Sequence, residues 1–161
     1  MIDTSNVLRL PHTAASVGVG RHWVREQLAA LGVARRHLDD VEMVVSELLG
    51  NAVQHAPPMA GGALLVTWRL SGSVVMVTVT DGGSPHQVEL RGTGQLAETA
   101  ETGRGLRIVE GLATEWGVIE QFGGLRTVWA TVAPRLGPAA GGRGHGSGWR
   151  LIPGRSGDPT G

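Results

Sequence analysis

Residues 36–56, RHLDDVEMVVSELLGNAVQHA, set Leu38, Val41, Val44, Val45, Leu48, Leu49 and Ala52 at helical spacing. One broad face of a helix collects all seven, which predicts a helix from about Arg36 to His55, stopped by Pro57-Pro58. An apolar face this wide has to be covered by a second layer. The flanking segments supply that layer.

Upstream, SNVLRL (residues 5–10) reads as a short strand ended by Pro11, and Val17, Val24, Leu28 and Leu31 mark a helix over 14–31 with Gly32 as its stop. Downstream, ALLVTWRL (63–70) and SVVMVTVT (73–80) alternate as strands and predict a hairpin turning at Ser71-Gly72. Residues 82–102 are rich in Gly, Ser and Thr, with a weak helical patch near Leu96. A short helix follows Thr102 through Leu106, Val109 and Leu112, and TEWGVIEQF and LRTVWATV close the domain as strands about Gly123-Gly124. The order is strand, two helices, two strands, long loop, helix, two strands. It predicts an α+β two-layer sandwich, a mostly antiparallel sheet with helices on one face.

The long loop is the feature that plain packing does not explain. Loops of this length inside a compact domain are usually functional or disordered. Glycines flank it at Gly82-Gly83 and Gly103/Gly105, so residues 84–102 are expected to act as a lid with hinged roots.

Composition removes several chemistries. The 161 residues include no cysteine, which excludes thiol nucleophiles and thiolate metal sites, and no lysine, since all fourteen basic residues are arginine. A P-loop or an ordinary protein-kinase strand lysine is therefore absent. Fourteen acidic residues balance the arginines, so no global field points to nucleic acid or to an anionic membrane surface. No basic start followed by an apolar run and no spanning-length apolar segment is present, which makes a cytoplasmic location the expectation.

The domain is expected to occupy residues 1–133. Residues 134–161 hold nine glycines and four prolines, with four arginines against one aspartate, and read as a flexible Gly/Pro/Arg-rich tail.

Three constellations can carry chemistry. Glu47 and Asn51 lie about 40° apart on the second helix at roughly 100° per residue, at the edge of its apolar face. They are either a solvated flank or a proton-accepting carboxylate beside an amide oxygen suited to Mg²⁺. Asp81-Gly82-Gly83 ends a strand, which is turn chemistry or a carboxylate placed to accept an N–H bond from a base. GRGL (103–106) opens a helix whose first amides can bind an anion.

Taken in order, ELLGNAVQHA (47–56), strand-DGG (81–83), TGRGLRIV (102–109) and RTVWATV (126–132) resemble the four motif boxes of the GHKL, or histidine kinase-like, ATPase superfamily. Within it, VVSELLGNAVQHA is similar to the anti-sigma-factor serine kinases and their actinobacterial relatives. The resemblance spans roughly residues 5–133. It implies the Bergerat-type ATP-binding fold, ATP and Mg²⁺ as cofactors, and a serine/threonine protein kinase that phosphorylates an anti-sigma-factor antagonist and regulates a sigma factor by partner switching. The alternative is a non-catalytic regulator whose bound ATP sets a protein-binding surface.

By the same resemblance Glu47 is the catalytic base and Asn51 the Mg²⁺ ligand. Asp81 holds the adenine amine, Gly83 gives access to the ring, and Gly103, Arg104, Gly105 and Leu106 surround the phosphates. Thr127 supports the adenine contact. Arg21, in the first helix, is the candidate for partner binding, although an ordinary exposed helix arginine would read the same way. A homodimer is implied, with no nucleic acid and no membrane as partner. The middle box departs from the family's D-x-G-x-G, because Pro85 stands where the second glycine would be.

Overall fold

The computed structural model describes residues 3–83, 102–121 and 123–135. The expected lid, apart from Thr102, and the tail beyond Arg135 lie outside the described residues. Eight elements follow in chain order: β1 (Asp3–Pro11), α1 (Ala15–Ala30), α2 (Arg35–His55), β2 (Ala63–Ser71), β3 (Val74–Asp81), α3 (Thr102–Leu112), β4 (Glu115–Glu120) and β5 (Arg126–Val132). The strands form one antiparallel sheet in the order β1-β2-β3-β5-β4. The three helices pack on one of its faces, so the architecture is the expected α+β sandwich.

The helix that decides the fold behaves as its periodicity requires. Leu38, Val41, Val44, Val45, Leu48, Leu49 and Ala52 are all buried, against Val24 and Leu28 of α1 and the inward row of the sheet. That row alternates as a pleat demands: Leu64, Val66 and Trp68 on β2, Val75, Val77 and Val79 on β3, Ala130 and Val132 on β5. Each large side chain so buried is worth about 1.5–3 kcal/mol in transfer free energy. α2 ends because Ala56 is extended (φ −120°, ψ 148°), the conformation that a following proline imposes. Gly20 brings α1 onto α2, since a Cβ there would meet Leu49 and Leu10.

The β2–β3 turn sits one residue later than expected. Ser71 pairs with Val74, so Gly72 and Ser73 form the turn, and Gly72 has φ +59°. Glycine at the first central position supplies the left-handed backbone that matches the twist of the strands. A slip of one residue would have turned Val75 and Val77 to the open face.

That open face carries threonines instead. Thr67 and Thr78 share a hydroxyl hydrogen bond of 2.6 Å, and Thr80 and Thr127 one of 2.7 Å. Beyond β5, Arg135 turns back on the helices: its Nε lies 3.2 Å from Asp40 Oδ2, and its Nη2 donates to the Gly111 carbonyl at 3.1 Å. Among the described residues no helix is long and apolar enough to cross a membrane.

Candidate functional site

The end of β3 is a turn held by side-chain and backbone bonds together. Asp81 is fully buried. Its Oδ1 accepts the backbone N–H of Gly83 at 2.8 Å, a local aspartate turn that bends the chain sharply after the strand. Its Oδ2 accepts from Arg126 Nη2 at 3.1 Å, and Arg126 is its register partner on β5. The two side chains are 1% and 15% exposed, so this ion pair is shielded from water.

Two glycines make the turn possible. Gly83 has φ +75°, and a Cβ on it would overlap the carbonyl of Gly124. Gly82 donates its N–H to the Pro57 carbonyl at 2.9 Å, and a Cβ on it would overlap the carbonyl of Pro58. Three segments therefore meet at backbone contact: the residues after α2, the end of β3 and the turn before β5.

That contact ties Asp81 to α2, which carries Glu47 and Asn51. Both are half-buried, beside the fully apolar row of Leu48, Leu49 and Ala52. Neither side chain has a hydrogen-bond partner among the described residues. They are a carboxylate and an amide with unspent bonding capacity one helical turn apart. Among the described residues no three His, Cys, Asp or Glu side chains group as a metal cage. Asn51 nevertheless suits Mg²⁺, because that ion takes oxygen donors, keeps several waters and shares the rest of its shell with phosphates.

The last turn of α2 is capped from β1. His12 Nε2 donates to the carbonyls of Ala52 and Ala56, at 3.0 and 2.8 Å, while His55 is exposed. The Ala52 carbonyl also takes the Ala56 N–H at 3.2 Å, so the ring gives it a second donor and supplies the Ala56 carbonyl with one.

Of the remaining residues singled out in the sequence, Gly103, Arg104, Gly105 and Leu106 occupy the first turns of α3, where helix amides lack internal acceptors. Thr127 is not brought to the Asp81 carboxylate. It faces the other side of the sheet, bonded to Thr80 and accepting from Gln121 Nε2 at 2.9 Å. Arg21 lies on the α1–α2 surface, half exposed, with Nε 3.9 Å from Glu42 Oε1. Beside it Arg25 bonds Asp39 at 2.8 Å and Glu42 at 2.6 Å, and the hydrogen bond to Asp39 is the main cause holding its pKa above the ordinary arginine value. Sequence reading passed over Arg126. Strand parity puts it, one residue from Thr127, on the opposite face, but its pairing with Asp81 comes from the register, which no local pattern states.

A family model described as a histidine kinase-like ATPase domain matches residues 10–132. No curated protein matches the chain. Among solved structures, the RsbU and RsbW domains of Rv1364c from Mycobacterium tuberculosis match with a TM-score of 0.59 at 23% identity. The match covers 81% of this chain and only 32% of that one, and it shows a shared fold.

Proposed function

This chain belongs to the histidine kinase-like ATPase domain family, and on that premise we propose that it is a Mg-ATP-dependent serine/threonine protein kinase of the anti-sigma-factor type. Its substrate is an anti-sigma-factor antagonist, and it regulates a sigma factor by switching between the two partners. The observation that carries this reading is the backbone tie from Gly82 to Pro57, which joins a buried base-accepting carboxylate to the helix bearing Glu47 and Asn51.

Each residue has one task. Asp81 accepts the exocyclic amine of adenine, with Gly83 leaving room for the ring. Asn51 holds Mg²⁺, which neutralises phosphate charge when bound. The amides of Gly103 to Leu106 at the start of α3 receive the phosphates. Glu47 takes the proton of the acceptor serine hydroxyl; the oxygen bonds to the γ-phosphorus as the bond to the β-phosphate oxygen breaks and ADP leaves with that electron pair. Arg21 contributes to the partner surface, a homodimer presents two such surfaces, and residues 135–161 are dispensable for binding nucleotide. The structural neighbour joins RsbU and RsbW domains in one chain, which supports a setting of partner switching.

The test is transfer of labelled phosphate to an antagonist domain. Glu47→Gln keeps size and reach but loses the base, so Mg-ATP should bind within about threefold of wild type while transfer falls by about a hundredfold. Asn51→Ala should lose both. Wild-type protein that binds Mg-ATP and transfers phosphate to no cognate antagonist would make it a regulator that only senses ATP. Full transfer by Glu47→Gln would remove Glu47 as the base.

A further inference from the structure

We infer that Arg126 is a base-reading residue: its guanidinium donates to the ring nitrogen next to the amine that Asp81 accepts. The inference rests on the nucleotide reading above and adds a second contact to the base.

Three observations carry it. First, Arg126 and Asp81 are register partners joined by a 3.1 Å bond, so any base that reaches Asp81 comes within reach of the guanidinium bonded to it. Second, Arg126 keeps a donor in hand. Its Nε is buried and has no hydrogen-bond partner, an expensive state for a charged donor unless a ligand supplies the acceptor. Third, Asp81 keeps acceptor capacity. Each carboxylate oxygen has about two acceptor sites, and Gly83 and Arg126 use one apiece.

The pair therefore presents an acceptor beside a donor. The edge of adenine presents the complement, an amine donor beside the acceptor nitrogen N1. Guanine reverses both positions, a carbonyl beside an N–H, so each would meet its own kind and leave buried groups unpaired. A lone carboxylate reads only the amine. With Arg126 alongside, two adjacent atoms of the base are read.

The experiment is calorimetric titration of the full chain with Mg-ATP and with Mg-1-deaza-ATP, in which C–H replaces N1. Wild-type protein should bind the deaza analogue about tenfold or more weakly than ATP, as expected for loss of a bond to a charged donor. Arg126→Met, which keeps the apolar stem of the side chain, should bind ATP about tenfold more weakly than wild type and no longer distinguish the two nucleotides. Thermal melts establish that the variant is folded, and Arg126→Gln, which retains an N–H donor, should recover part of the discrimination. Equal binding of both nucleotides by wild type overturns the inference. So does an Arg126→Met variant that still prefers ATP, since Arg126 would then only hold Asp81 in place. Wild-type protein that binds no Mg-ATP would instead remove the nucleotide reading, and this inference with it.

Discussion

The two ends of the candidate site are built on opposite plans. At the end of β3, the groups are bound into the fold: Asp81 bonds Gly83 and Arg126, Gly82 bonds Pro57, and the glycines fill space that no Cβ could share. On α2, Glu47 and Asn51 stand at the rim of a packed apolar face with no described partner. The first end is architecture that a base can borrow. The second is capacity held in reserve, supported by the helix but not used by it. Damage should therefore spread differently from the two ends: through stability as well as affinity at the first, through metal binding and chemistry with the fold intact at the second.

Gly83→Ala should show the difference at its largest. A side chain there meets both a left-handed backbone (φ +75°) and the Gly124 carbonyl, so the loss should be about 3 kcal/mol or more of unfolding free energy, read by urea titration. Asp81→Asn comes next. It keeps an oxygen for the Gly83 N–H but strips Arg126 of its counter-ion, and should cost about 2 kcal/mol together with a tenfold or greater loss of Mg-ATP affinity. A variant that melts like wild type would show that the pair is not part of the frame. Glu47→Gln should be the smallest in stability, within about 0.5 kcal/mol of wild type. A larger loss would mean that Glu47 holds the helix in place and that the contrast between the ends is false.

Much of this was legible in the residues. The apolar stripe of α2 and the alternation of β2 and β3 dictate their elements, because burial follows local period whatever the distant chain does. The order β1-β2-β3-β5-β4 was not legible: β1 and β2 are separated by two helices, and no local pattern states which strands meet. The same limit hid Arg126. Its partner Asp81 stands 45 positions away, and a single arginine before a strand threonine has no local mark until the register is known. Thr127 shows the converse, since a motif position names a residue without saying which face of the strand it occupies. The four boxes were legible as words; their mutual geometry belongs to the sheet.

The bond from Gly82 to the Pro57 carbonyl has a consequence for how a two-ended ligand is caught. On the reading proposed here, the base seats at one side of this joint and the phosphates meet Asn51 at the other. Two prolines and a hydrogen-bonded amide leave the joint little freedom to vary the span. Once the base is held, the remaining contacts form within one molecule, at an effective concentration set by the rigidity of that short strut. A ligand of the wrong length gains nothing from it, however well each half would bind alone. The joint thus acts as a caliper, and selects for the separation between a base and its phosphates as much as for either group.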